Sequence, residues 1–310
     1  MRAVHGNAEY RERRTKSMGK KLGVGLLIIL VLLAAGVWTY WRLAARKAAK
    51  LSAPVIVTPR EPVQPGATPS GKPSAGEPPV GKEASGEAPP FQPRTGETLE
   101  FAANVTKLNT TVADLKVLVG ERRNLAGKNA WHLQAFAHTE NPYRMVFELD
   151  DQFDSYSDAA NLTSLQYEMH LSERGQKVDT VERMMSSSRE PAPANAVAAR
   201  VLPGTRDPIG MLMYLRGVDW AKTTELRSPV FDGHKLYDVR AVLAGKSQKV
   251  TVAAGKYVTT KIEIHVMDNG VEMKDAHFWL YLADGVERLP VLMEAVLPIA
   301  TARVELTKVK

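Results

Sequence analysis

The amino-acid sequence predicts a mainly β protein: one large antiparallel sheet with one or two short helices, set behind a single transmembrane helix and a proline-rich linker. Three observations carry this reading. Short runs rich in β-branched and aromatic residues follow one another from residue 96 to the end, joined by links of a few residues; parallel crossovers need a dozen or more, so neighbours must run antiparallel. Helix-start signals occur at only two places in that stretch, Asn141-Pro142 and Asp207-Pro208. Ahead of it, residues 22–41 carry no charge, and residues 51–95 hold 11 of the 19 prolines.

The N-terminal elements come first. Leu22 to Trp41 is twenty residues long, enough at about 1.5 Å per residue to span a hydrocarbon core of about 30 Å. Seven basic residues precede it and four follow (Arg42, Arg46, Lys47, Lys50), which puts the N-terminus in the cytoplasm; Trp38, Tyr40 and Trp41 fall at the far interface. The reading is therefore a cytoplasmic basic segment (1–21), a transmembrane helix (22–41), a proline-rich disordered linker (42–95) and an exported β domain (96–310), held at the inner membrane with the domain in the periplasm or outside. A cleaved signal peptide competes with it, since Ala34, Ala35 and the alanines of 44–49 supply small residues, but the apolar run is longer than a usual signal core and charge follows it. The linker's Pro, Gly, Ser, Ala and Glu cannot bury enough apolar surface to order themselves, so it serves as a tether.

Composition excludes several chemistries. With no Cys there is no disulfide framework, thiolate zinc site, iron–sulfur cluster or lipid attachment through cysteine. A formal charge of +7 invites a nucleic-acid reading. The basicity is local: residues 1–50 hold 11 basic and 2 acidic side chains, whereas residues 96–310 hold 26 and 28. The body is slightly acidic, and no nucleic-acid partner is expected.

Within the body, strands are predicted over 97–107, 111–121, 130–138, 165–171, 178–185, 234–244, 249–253, 257–267, 271–282, 289–297 and 299–308. Ser-Glu-Arg-Gly (172–175) and Asn269-Gly270 read as hairpin turns. Asp207 is placed as N-cap of a helix with Pro208 in its first turn, Ile209 to Arg216 as its body and Gly217 as a left-handed C′ residue. Over 143–153, Met145, Leu149 and Phe153 have helical spacing, while Tyr143, Met145, Phe147 and Leu149 alternate as in a strand; both readings stay open. Residues 189–200, rich in Ala and Pro, read as a loop.

Five segments carry a family resemblance: Arg94-Thr-Gly-Glu-Thr-Leu-Glu-Phe101, Phe153-Asp-Ser-Tyr-Ser-Asp158, Thr205-Arg-Asp-Pro208 leading to Tyr214-Leu-Arg216, Val252-Ala-Ala-Gly-Lys-Tyr257 and Arg288-Leu-Pro-Val291. In this order they resemble the exported bacterial domain-of-unknown-function family 3108, over about residues 91–310. The resemblance implies an exported, mostly β domain and supplies no catalytic residue. At the level of fold it implies a curved, half-barrel-like sheet similar to bacterial lipoprotein carriers.

Candidate active sites fail on spacing. His132, His138, His170, His234, His265 and His277 form no HExxH motif. With a two-residue turn at Asn269-Gly270, His265 would oppose Lys274 and Ile262 would oppose His277, placing the two histidines on opposite faces. Ser186 to Ser188 lack a nucleophile elbow. Glu148, Asp150, Asp151, Asp154 and Asp158 lack the glycine and spacing of a calcium loop. No cofactor or metal is expected, and Asp207 reads as a cap in preference to a catalytic acid.

What stands out is apolar character without alternation over 278–282 (Phe-Trp-Leu-Tyr-Leu) and most of 291–297. A sheet with one wet face alternates, so these strands should be covered on both sides. The Asp207 helix is the available cover, and it either completes an ordinary core, the commoner arrangement, or leaves a groove for an acyl chain or apolar peptide. Met211, Tyr214, Leu215, Trp279 and Tyr281 are the expected groove walls. The sequence thus points to a non-catalytic module that binds a hydrophobic ligand or an envelope partner. A structural component without a ligand, or a hydrolase with an unrecognised site, are the alternatives.

Overall fold

The computed structural model describes residues 91–106, 110–184, 196–198, 201–297 and 300–310, with backbone alone over 196–198. The expected anchor and linker, and Ser186 to Ser188, lie outside the described residues. Among the described residues no helix is long and apolar enough to cross a membrane.

The strands are β1 (Thr98–Val105), β2 (Thr110–Leu125), β3 (Lys128–Thr139), β4 (Asp150–Asp158), β5 (Ser164–Glu173), β6 (Gln176–Arg183) and β7 (Ala196–Ala198), followed after the helix α1 (Pro208–Gly217) by β8 (Glu225–Phe231), β9 (Leu236–Val252), β10 (Gly255–Asp268), β11 (Val271–Glu272), β12 (His277–Ala283), β13 (Pro290–Val296) and β14 (Thr301–Val309). They form one sheet in the order β7-β6-β5-β4-β3-β2-β1-β14-β13-β12-β10-β9-β8, with β11 on β10. The topology is two meanders meeting where the first strand pairs antiparallel with the last. Every named pairing is antiparallel except the short β6–β7 contact.

Strand alternation selects one face for the core. On β1, Leu99, Phe101 and Ala103 are buried, and they pair with Val117, Leu115 and Ala113 of β2. The row continues through Leu133 and Ala135 on β3, Phe153 on β4 and Met169 on β5. In the other direction it passes Val304, Met293, Leu280, Ile262 and Leu243. Helix α1 packs against β3, β4 and β8, inside this face.

The sheet curls until its ends approach. Arg206, just ahead of α1, donates its amide to Pro229 O (3.0 Å), and Phe231 donates to Arg206 O (2.9 Å). Ser164 of β5 donates to Thr205 O at 3.0 Å. The strap 205–206 therefore lies between β5 and the edge strand β8, occupying backbone groups that an open edge would leave unpaired. Pro229 fits there because an edge strand tolerates a missing N–H.

Several expectations are corrected. The turn at 143–149 is neither helix nor strand: a single 3-10 turn, Tyr143–Met145, follows the cis Asn141–Pro142 peptide, and β4 begins at Asp150. Acidic β4 and proline-bearing β8 are strands that the composition did not signal. The runs 234–244 and 249–253 belong to one strand, β9 (Leu236–Val252), and 271–282 divide into β11 and β12. Helix α1 ends with Gly217 inside it and an extended Val218 as C-cap, so Gly217 is not a left-handed cap. Asp268 opposes Val271 as expected, but the excursion after Glu272 resets the register to Ile264–Phe278. This odd shift puts His277 on the same face as His265, not the opposite one.

Candidate functional site

Both ends of α1 are fixed by buried charge. At the N-terminus Asp207 is 0% exposed. Its Oδ1 accepts the amides of Ile209 and Gly210, each at 2.9 Å, which satisfies two donors that a helix start leaves orphaned. Its Oδ2 accepts the hydroxyls of Ser155 (2.6 Å) and Ser164. Ser164 Oγ in turn accepts the Asp207 amide at 2.6 Å. Burial pushes the Asp207 carboxyl up, against the pull of these hydrogen bonds. Arg206 reaches Ser228 Oγ (2.9 Å) and Asn161 O (3.0 Å), and its guanidinium lies 3.5 Å from the centre of the Tyr214 ring.

At the other end Arg216, also 0% exposed, donates to both oxygens of Glu97 at 2.8 Å and to the carbonyls of Glu287 (3.0 Å) and Arg288 (3.2 Å). The planar fork suits a carboxylate in this bidentate way. Arg288 returns the contact, donating to the final carbonyls of the helix, Arg216 O (3.3 Å), Gly217 O (3.1 Å) and Val218 O. Trp220 Nε1 donates to Leu215 O at 3.0 Å. These groups cap the C-terminus where a glycine was expected to do so. Four of the five segments that carry the family resemblance thus converge: those around Glu97, Ser155, Asp207 with Arg216, and Arg288 meet at α1.

Between α1 and the concave face lies a partly open cavity of about 110 Å³. The helix contributes Ile209, Met211 and Leu215. Val117 and Ala135 form the side toward the first meander, and Ile264, Phe278 and Met293 the side toward the second. Asp232 and Tyr237 are the residues with oxygen-bearing side chains on its wall.

The five expected wall residues divide. Met211 and Leu215 border this cavity, and Trp279 touches it only from within β12, its ring lying on the other face of the strand; Tyr214 and Tyr281 do not border it. Tyr214 is under Arg206. Tyr281 and Trp279 share the face opposite Phe278 and Leu280 by strand alternation. There Tyr281 donates to Glu294 Oε2 at 2.8 Å, and the Lys261 ammonium lies 4.5 Å from the Trp279 ring centre. The helix therefore does not cover both faces. Long side chains of the outer face shield the aromatics instead, burying their stems against the rings.

Sequence reasoning missed Asp232. It is 2% exposed, at the β8–β9 hairpin, where Oδ1 accepts the amides of His234 (2.8 Å) and Lys235 (2.6 Å). The Asp232-Gly233 dipeptide was a signal for the turn. Gly233 has φ +92°, and a Cβ there would meet Met169 Cε at 2.4 Å, so the hairpin tip presses directly on β5.

The convex face holds a second polar group. Asp154 accepts His132 Nε2 (2.6 Å), Gln134 (2.8 Å) and Gln152 (2.7 Å), and those bonds hold its carboxyl below the ordinary value despite the opposing effect of burial, the largest single influence. The bonds found for this pair join no hydroxyl nucleophile to the ring. Among the described residues no group of three or more His, Asp or Glu is arranged to hold a metal.

The fold and site define a class: a curled antiparallel sheet whose concave face is stoppered by one helix held at both ends by buried charge. Within it, the chain belongs to the family described as Protein of unknown function (DUF3108), whose model matches residues 100–307. No curated protein matches the chain. Among solved structures, it is similar to a β-barrel-like protein of the domain of unknown function DUF1849 from Brucella abortus, at 13% identity and a TM-score of 0.45, covering 71% of this chain and 98% of that one. It is also similar to a candidate lipoprotein from Parabacteroides distasonis, at 12% identity and a TM-score of 0.33, covering 72% and 99%. A candidate exported protein with YmcC-like fold from Bacteroides fragilis matches at 9% identity and a TM-score of 0.28, covering 72% and 99%.

Proposed function

We propose that this protein is a membrane-anchored, exported envelope module without catalytic activity, which takes up an apolar ligand, or an apolar side chain of an envelope partner, between α1 and the sheet. The anchor rests on the uncharged run 22–41 and the seven-to-four bias of its basic flanks. The observation that carries the binding reading is the apolar cavity itself. Protein interiors close-pack, and a void lined by Met211, Phe278 and Met293 forgoes contacts that a purely structural core would make. Its volume of about 110 Å³ is below the roughly 150 Å³ that holds a benzene. It therefore suits the end of a chain or one side chain, with the rest of the ligand emerging through the open side.

The structural reading has its own support: buried Asp207 and Arg216 lock α1 in place, as a component with no need to move would require. Titrating the full chain with an apolar fluorescent probe separates the two. Binding that is lost when Ala135→Leu fills the cavity supports the ligand reading; no binding to the wild type favours the structural one.

A further inference from the structure

We infer that Asp232 and Tyr237 form the polar end of this cavity, and that the apolar ligand carries there a neutral group that both donates and accepts a hydrogen bond, a hydroxyl in the simplest case. The inference rests on the ligand reading above and specifies its chemistry. Asp232 is 98% buried, and its two oxygens are used unequally: Oδ1 takes two hairpin amides, while Oδ2 has no partner in full hydrogen-bond geometry, the Tyr237 phenol being the donor turned toward this carboxylate. A buried carboxylate oxygen left unpaired is costly, and one on the wall of a cavity calls for a donor from whatever fills it. Its position is fixed, since the Asx turn holds Oδ1 and Gly233 is packed against Met169.

The surroundings choose among head groups. A ligand carboxylate would set a second anion against Asp232. Burial already pushes the Asp232 carboxyl up and the neighbouring His234 down, so desolvation at this end of the cavity works against bringing in further charge. An ammonium brings three donors, and the other side chains named on the wall are almost wholly apolar. A hydroxyl brings one donor, which Oδ2 can accept, and lone pairs that the Tyr237 phenol can fill. The Tyr237 phenol faces the Asp232 carboxylate, whose charge and hydrogen bonding raise its pKa after burial as the larger cause, so a ligand hydroxyl would sit as a bridge between the two. The Tyr237 O–H therefore stays a donor throughout the physiological range.

The test uses the full chain carrying ¹³C-methyl methionine in nanodiscs, because Met211 and Met293 report from inside the cavity whatever partitions into lipid. Butane, 1-butanol, butanoate and butylamine are titrated at pH 7.5. The expected result is that 1-butanol shifts both methyl resonances about tenfold more tightly than butanoate or butylamine, and more tightly than butane. Asp232→Asn keeps Oδ1 for the turn and replaces Oδ2 by a donor, so the preference for 1-butanol over butanoate should collapse or invert. Tyr237→Phe should weaken 1-butanol several-fold and leave butane unchanged. Equal affinity for 1-butanol and butane, tighter butanoate or butylamine, or an Asp232→Asn chain with unaltered preference would overturn the inference while leaving an apolar site. If no compound moves either methyl, the ligand reading falls with it.

Discussion

Arg216 and Glu97 lie 119 positions apart in sequence and make two hydrogen bonds of 2.8 Å with neither side chain more than 1% exposed. This pair ties the last turn of α1 to the residue that leads into β1. Removing one partner would strand the other charge in the interior, so Glu97→Ala should cost about 3–5 kcal/mol. The double variant Glu97→Ala/Arg216→Ala should lose less than the sum of the singles by roughly 0.5–3 kcal/mol. Urea unfolding of all three checks this; additive losses would mean the two side chains are not coupled.

Asp207 is more than a surface cap. An exposed cap is worth about 0.5–2 kcal/mol, but this carboxylate also serves Ser155 and Ser164 from a site with no exposure. Asp207→Ala leaves buried donors unpaired and should cost about 3 kcal/mol or more. Asp207→Asn keeps the oxygen facing Ile209 and Gly210 and lets the serine hydroxyls turn to accept, so its loss should be near 1 kcal/mol. Similar losses for the two variants would show that the carboxylate's Oδ2 contributes nothing.

Gly210 measures how closely the helix sits on β4 and β5. A Cβ there would lie 2.8 Å from Ser157 Oγ and 3.3 Å from Ser164 Oγ. In an isolated helix Gly→Ala gains about 1 kcal/mol. Here the clash should outweigh that gain, and Gly210→Ala should lower the melting temperature. A rise would place the helix farther from the sheet.

These two helix ends were unequally legible in the sequence. Asp207-Pro208 announces a helix start from adjacent residues, and the start is where it was expected. The other end depends on Arg216, Glu97 and Arg288, whose meeting is set by the β1–β14 closure and by nothing local. Strands β4 and β8 were hidden because Asp150, Asp151 and Asp154, and Pro229, have low strand propensity that pairing overrides. Trp279 and Tyr281 misled for a related reason: an unbroken apolar run reads as two covered faces, and pattern alone cannot reveal that Lys261 and Glu294 supply the second cover. Asp232 carried a turn signal, but the inward aim of its side chain depends on how far the sheet curls.

Asp151 gives a pH signature. It is 3% exposed, and burial raises its carboxyl from 3.8 to about 7, against one hydrogen bond from the Ser172 amide. The folded protein then holds a proton that the unfolded chain releases between pH 4 and 7. The stability this proton contributes is full below about 3.8 and is lost as pH rises to about 7, by at most a few kcal/mol. Asp151→Asn retains the acceptor for Ser172 and removes the titration, so it should stabilise the protein at pH 8 more than at pH 5. Equal effects at the two pH values, read from urea midpoints, would contradict the shift.

Membrane orientation is checked apart from the domain. On the proposed topology, in which the seven-to-four bias of basic flanks places the N-terminus in the cytoplasm, alkaline phosphatase fused after Lys50 should be active and a fusion after Lys20 inactive. An inactive Lys50 fusion would contradict export.

Native mass spectrometry of the full chain, released from nanodiscs prepared from its own host's membranes, tests the ligand reading most directly. Wild-type protein should carry a bound apolar molecule or chain end, and Ala135→Leu, which fills the cavity beside Val117 and Met211, should lose it while keeping its melting temperature within a few degrees. A wild-type protein with no adduct, or one whose adduct persists unchanged in Ala135→Leu, would contradict a ligand between α1 and the sheet.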